Sequence, residues 1–303
     1  MTKKAFLFAL TAIFAFALPA VASAEQSLLM EESYVRETDA GLERGSIAYE
    51  YDSEGILTRY VDSSTSAAGK QTINTYKVAF DASGIRTDSG KEQHGYILDT
   101  VEHEYDASGR EIRRTLFSNT GAFKQEETWE YGPSGELLSY SFSSADSSYR
   151  EMYEYLPSGS LSSLITEDGD GNVLQSCELD EAESASDVLV YLTKDGDGAL
   201  LEREEQTVDA EGRVISWSRF NADGEQTAYG EYAYDLAGNR FYEVTYTRQA
   251  IEAEAEEDIS YEFVTDGYRF RSYDASGRLI ADELLDAEHL ISTVSYTYSA
   301  VGQ

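Results

Sequence analysis

Carboxylates spaced by glycine are the side chains of this chain best suited to hold a ligand. Asp168-Gly169-Asp170-Gly171-Asn172 and Asp195-Gly196-Asp197-Gly198 present the hard oxygen ligands that calcium takes. A calcium loop set between helices wants glycine at its sixth position and glutamate at its twelfth. Counting from Asp168 finds Val173 and Leu179 there. Asp168, Asp170, Asp195 and Asp197 therefore stand as calcium candidates in segments that a hairpin turn alone also explains. Histidine offers little for catalysis, because a Ser-His-Asp arrangement needs an imidazole held by a third group. His94 precedes a turn glycine, His103 takes the place of a ring in a repeat, and His289 falls in a turn slot. Cys177 is the sole cysteine, so no internal disulfide forms, and a small core residue is the simplest role for it. Glycoside hydrolysis needs two carboxylates about 5 to 10 Å apart. With 57 acidic residues such pairs arise by chance. No metal-spaced histidine cluster, phosphate loop or dinucleotide fingerprint is present. The expectation is a protein without catalytic residues and without a cofactor, calcium excepted.

Tyrosine is the other resource, with 23 copies. Rings come in pairs, Tyr49 and Tyr51, Trp129 and Tyr131, Tyr153 and Tyr155, Tyr232 and Tyr234, with Glu50, Glu130 and Glu154 between three of them. Such a ladder stacks sugar rings if it faces solvent and forms the covered face of a sheet if it does not.

What must position these groups is a repeated turn. Tyr105-Asp106-Ala107-Ser108-Gly109-Arg110 returns as Tyr234-Asp235-Leu236-Ala237-Gly238-Asn239 and Tyr273-Asp274-Ala275-Ser276-Gly277-Arg278. Its glycines are Gly55, Gly84, Gly109, Gly135, Gly159, Gly212, Gly238 and Gly277, and the first four intervals are 29, 25, 26 and 24 residues. The 53 residues from Gly159 to Gly212 hold one decayed copy, Leu179-Asp180-Glu181-Ala182-Glu183. Near mid-period a second turn recurs, at Gly41, Gly69, Gly95, Gly121, Gly171, Gly198 and Gly224. Between turns the residues alternate as strands do, for example Leu138, Tyr140 and Phe142 against Ser139 and Ser141. Glycine supplies the positive φ such turns need.

The fold class is all-β, an antiparallel hairpin meander of tandem repeats of about 26 residues. About 20 strands at ~4.8 Å each would make a flat sheet roughly 95 Å wide, and open sheets seldom pass about 10 strands without curling. A spiral, an open barrel or a solenoid-like roll is expected, with a β-propeller as the alternative.

Residues 1–24 have the form of an export signal, with Lys3 and Lys4 before an apolar run and Ala22-Ser23-Ala24 at the cleavage site. Residues 25–45 form a lead-in with a first strand, and the repeats fill 46–303 with an acidic insertion at 251–258. Removing Lys3 and Lys4 takes the formal net charge from −34 to −36, a field that repels nucleic acid and anionic lipid. No later apolar stretch is long enough for a membrane helix. An exported protein, periplasmic or extracellular and without membrane insertion, is expected.

The turn sequences resemble the tyrosine-aspartate (YD, Rhs-type) repeat, whose pattern is Tyr-Asp-x-x-Gly-Arg/Asn followed by an apolar strand. The resemblance implies a β-meander wound into a spiral shell, which in large relatives encloses a toxic C-terminal domain or serves cell-surface contact, often with carbohydrate. This chain ends at Gly302-Gln303 and lacks the proline-containing cleavage signature of toxin carriers, its prolines being Pro19, Pro133 and Pro157. The expected role is a free-standing, non-catalytic scaffold that binds a surface carbohydrate or protein. The alternatives are a carbohydrate-active enzyme on the same scaffold or a calcium-dependent assembly protein.

Overall fold

A computed structural model describes residues 27–38, 41–251, 260–286 and 290–300. The export signal, His289 and almost all of the acidic insertion lie outside them. The described chain is a single sheet of 20 strands, with no helix among the described residues. The first ten are β1 (Ser27–Thr38), β2 (Gly41–Tyr51), β3 (Leu57–Thr65), β4 (Gln71–Phe80), β5 (Arg86–Glu92), β6 (Ile97–Tyr105), β7 (Glu111–Phe117), β8 (Phe123–Tyr131), β9 (Leu137–Ser144) and β10 (Ser148–Tyr155). The second ten are β11 (Leu161–Asp168), β12 (Val173–Leu179), β13 (Val188–Asp195), β14 (Leu200–Val208), β15 (Val214–Asn221), β16 (Gln226–Tyr234), β17 (Arg240–Ile251), β18 (Ser260–Tyr273), β19 (Leu279–Leu285) and β20 (Leu290–Ala300). Every strand pairs antiparallel with its neighbours in sequence, and β1 pairs with both β2 and β20. The meander therefore closes into a barrel, which removes the two open edges a sheet this wide would carry. The propeller alternative is not realised, because one continuous ladder replaces separate blades.

In an up-and-down barrel successive turns fall at opposite ends. The turns of the Tyr-Asp-x-x-Gly copies all lie at one rim, together with the start of β1 and the end of β20. The mid-period turns all lie at the other rim. Half a repeat is thus one crossing of the wall, which is why the two turn series interleave. The glycines of the first series adopt φ between 78° and 94°.

Both series build one turn. At the tyrosine rim, Asp106 Oδ1 accepts from the backbone N–H of Ser108 at 2.8 Å and of Arg110 at 3.0 Å, while Gly109 N–H donates to the Asp106 carbonyl at 2.9 Å. The aspartate thus satisfies amides that a tight turn would leave unpaired. What sets this rim apart is the link to the next repeat. Arg213 bridges back to Asp209 at 2.6 Å, and its guanidinium lies 4.8 Å over the Tyr234 ring. The Tyr234 hydroxyl donates to the Val214 carbonyl at 2.8 Å. Arg278 and Tyr298 repeat the arrangement, with the hydroxyl donating to the Leu279 carbonyl at 3.0 Å. Tyr51, Tyr191 and Tyr273 make the same kind of carbonyl bond. The tyrosine, aspartate and arginine of the motif are a clasp between neighbouring hairpins.

The decayed copy keeps its aspartate as a turn acceptor, from Ala182 and Glu183 N–H, but the connection runs on to Asp187. Ser184 completes it by donating to the Asp180 carbonyl and accepting from Val190 N–H.

The registers divide the wall into two faces. One carries the ring ladder, including Tyr49, Tyr60 and Tyr76 in one row and Trp129 and Tyr140 in another. The other is rich in hydroxyl and charged side chains, such as Ser139, Ser141, Glu130 and Glu154. Most ring-face tyrosines are half-buried, and so are most side chains of the hydroxyl face, where Thr115 and Ser139 are buried. Among the described residues only Val190 and Val244 of the larger side chains are fully covered, so the barrel wall is one layer thick rather than wrapped around a packed core. Close packing on the ring face depends on glycine at particular places. A Cβ on Gly230 would lie 2.5 Å from Trp217 Nε1, its directly paired neighbour, and a Cβ on Gly45 would lie 2.5 Å from the paired Tyr34 ring.

Candidate functional site

The four calcium candidates sit in two mid-period turns at the rim opposite the tyrosines. Asp168 Oδ1 accepts from Asp170 N–H and Asn172 N–H at 2.9 Å each, and its Oδ2 accepts from the Asn172 amide at 3.0 Å. Asp195 Oδ1 accepts from Asp197 N–H at 3.0 Å and Ala199 N–H at 2.8 Å. The Asn172 side chain and the turn amides hold the Asp168 carboxyl below the usual aspartate value. Among the described residues no group of three or more His, Cys, Asp or Glu side chains is arranged to hold a metal ion.

The ring face carries two charged networks that the sequence reading did not find. The first crosses β5 to β8. Arg86 makes a two-pronged bond to Asp88, at 2.7 and 2.5 Å, and Asp88 is only 2 % exposed. His103 Nε2 lies 3.7 Å from Asp88, and its Nδ1 lies 2.5 Å from Glu111. Arg114 joins Glu111 at 2.6 Å to Glu127 at 3.2 Å and lies over the Trp129 ring. Burial acts to raise the Glu111 pKa, but hydrogen bonds from His103 and Arg114 outweigh it and hold the carboxyl below the usual glutamate value. Both nitrogens of His103 thus face carboxylates. It links ion pairs, and neither nitrogen is directed at a hydroxyl nucleophile as a catalytic base would be.

The second network crosses β14 to β19, on the far side of the ring by strand order. Arg219 reaches Glu204 at 2.8 Å and Glu202 at 3.4 Å. Arg271 lies 3.6 Å from Glu243 and 3.4 Å from Asp282, and Arg269 bonds Asp282 at 2.6 Å. The buried Glu243 Oε2 makes no hydrogen bond and is held by charge alone, with Arg240 at 3.8 Å and Arg271 at 3.6 Å. Burial pushes the Glu202 carboxyl up, against the pull of Arg219. Cys177 lies near this network on the ring face, and burial pushes its thiol up, as suits a packed residue better than a nucleophile. His94 is exposed beside Glu92.

A cluster of rings lies on the other face. Tyr229 and Tyr246 stack with centroids 4.6 Å apart, Phe263 meets Tyr229 edge-on at 5.2 Å, and Tyr242 pairs with Phe270 at 5.3 Å. Phe263 and Phe270 are 38 % and 40 % exposed. These rings interrupt the hydroxyl face on β16, β17 and β18. The signal for them is parity: Tyr229 stands three positions from Tyr232, so it must point away from the ladder that Tyr232 and Tyr234 continue.

The hairpin that bears them outruns the barrel. The β16–β17 ladder ends at Ala228 and Thr247, whereas β17–β18 pairing continues to Ile251 and Ser260. On the other side, β18 pairs with β19 only from Tyr268 onward. The long repeat interval is therefore taken up partly by strand, with β17 reaching Ile251 and β18 starting at Ser260 on either side of the acidic insertion. A bulge near Asp266 bends β18 where it leaves the wall, with Gly267 at φ 143° and its Cβ position 2.6 Å from the Leu285 carbonyl.

No family model matches the chain, and no curated protein matches it. Among solved structures it is similar to a porin-like protein from Bacteroides uniformis, at 13% identity and TM-score 0.36, covering 89% of this chain and 96% of that one. A porin-like protein from Bacteroides vulgatus follows at 10% identity and TM-score 0.27, covering 88% and 97%. TcdB2-TccC3 without its hypervariable C-terminal region is similar over 82% of this chain at 15% identity and TM-score 0.19, and this chain spans 19% of that one.

Proposed function

We propose that this chain is an exported, non-catalytic scaffold of tyrosine-aspartate-type repeats. It binds a surface carbohydrate or another protein through the overhanging β17–β18 hairpin. The observation that carries this reading is the aromatic cluster of Tyr229, Tyr242, Tyr246, Phe263 and Phe270, in which Phe263 and Phe270 are exposed. Contiguous apolar surface rimmed by polar groups marks contact sites on soluble proteins. The ring ladder of the other face is half-buried and tied into the wall, which leaves it less able to stack a ligand.

Charge distribution supports a barrel that stands in water. Mid-strand charges occur on both faces, Arg114, Glu127 and Arg219 on one and Glu126, Arg203 and Glu205 on the other. Either face turned to lipid would bury several of them at a cost of about 2 to 4 kcal/mol per Arg at mid-depth. The test is capture of glycans and of envelope proteins by the full chain and by a variant in which residues 248–263 are replaced by Asn-Gly. Ligand captured by the full chain and lost by the variant supports the reading, and equal capture by both overturns it.

One observation favours a second reading. Glu202 and Glu204 share Arg219, and burial raises Glu202, the environment a general acid needs. Hydrolysis of a polysaccharide that Glu202→Gln abolishes would establish a carbohydrate-active enzyme.

A further inference from the structure

The overhang leaves an open strand edge. Ser260 to Thr265 of β18 is zipped to β17 on one side, and on the other side no strand among the described residues pairs with it. Six residues of extended chain, up to the Asp266 bulge, make an edge of roughly 20 Å. Along it every second residue turns both N–H and C=O outward, as a template for one more strand. Edges are commonly blunted with lysine, proline or a bulge, and Ser260-Tyr261-Glu262-Phe263-Val264-Thr265 contains none of them, the bulge falling at its inner end at Asp266. Its side chains supply the second half of a strand-addition site. Phe263 is an exposed apolar contact on one face, while Glu262 and Asp266 are exposed carboxylates.

We propose that this edge takes up an extended basic peptide, added antiparallel or parallel to β18 as a further strand. The occupant follows from charge. A second copy of the chain would set Glu262 and Asp266 against their own equivalents, within a molecule of formal net charge −34 at full length. Of the residues preceding Ser260 in sequence, Glu252 to Asp258, five of seven are acidic and oppose self-pairing in the same way. A peptide alternating lysine with valine meets both demands, with cations for the carboxylates and apolar groups for the Phe263 side. This deepens the proposed function by naming the ligand class, and it rests on that reading.

The test uses the full chain with an eight-residue peptide alternating lysine and valine, and with the same peptide N-methylated at every second residue. N-methylation keeps charge and composition but removes the ladder donors. Binding is expected to weaken at least tenfold for the methylated peptide and to weaken for the Glu262→Lys protein. Hydrogen exchange should slow within residues 260–265 when the unmodified peptide is added. Equal binding of the two peptides would overturn the proposal in favour of adsorption by charge. Protection elsewhere in the barrel, or a dimer that occludes the edge, would overturn it as well. Glycan capture lost in the 248–263 replacement, without peptide binding, would overturn strand addition and leave the proposed function standing.

Discussion

The two rims of the barrel are built from the same turn and differ in what lies beside it. At both, an Asp or Asn side chain accepts two turn amides, as Asp209 does from Glu211 and Arg213 and Asn221 does from Asp223 and Glu225. The first rim adds the arginine over the next tyrosine and the hydroxyl to the neighbouring carbonyl. One rim is stitched by this clasp, and the other, where ion pairs such as Lys124–Asp99 and Arg248–Glu225 link hairpins, bears the hairpin of greatest length. Structural regularity and contact with a partner are thus divided between the two ends of one strand ladder.

Breaking a stitch should have the largest effect. Tyr234→Ala removes a half-buried ring and its carbonyl bond, and is expected to cost about 2 to 4 kcal/mol in denaturant unfolding. Tyr229→Ala, in the opposite-rim cluster, should cost less stability and should weaken ligand capture instead. Turn glycines should not distinguish the rims. Gly212 at φ 78° and Gly198 at φ 84° face the same strain, so alanine at either should cost about 1 to 2 kcal/mol. A large difference between them would break the claim of a shared turn.

Acid should sharpen the comparison. Asp106, Asp209 and Asp274 at the stitched rim and Asp168 at the opposite rim all have lowered pKa values, through arginine partners in the first case and Asn172 in the second. A carboxyl lowered in the folded state stabilises the fold above its unfolded pKa, and that stability is lost as pH falls through the folded value. Thermal stability should therefore decline below about pH 4, where unfolded aspartate protonates. Salt should diminish the contribution of the arginine-paired aspartates more than that of Asp168. The smallest effect concerns calcium. With the Asp168 and Asp195 carboxylates already serving their own turns, a chelator should leave the melting temperature unchanged, and a drop of several degrees would revive calcium-dependent assembly.

Much of this was legible in the residues. Turn chemistry is local, so the glycine spacing alone located the hairpins and led to about 20 strands. Closure was less accessible, because pairing of β1 with β20 joins residues such as Leu29 and Tyr298 from opposite ends of the chain. The charged networks were hidden for a related reason. Arg114 meets Glu127, and Arg271 meets Glu243, only once strand register is known. The overhang was not legible because the acidic run hides how far β17 and β18 continue on either side of it.

The most direct measurement is residue-level hydrogen exchange across β17 and β18, with and without the lysine–valine peptide. Amides near Tyr234 and Tyr273, at the stitched rim, should be protected in both conditions. Those of residues 260–265 should exchange quickly alone and slowly with peptide. Uniform protection of both ends in the free protein, or a peptide effect centred on the tyrosine rim, would contradict the division between a stitched rim and a binding rim.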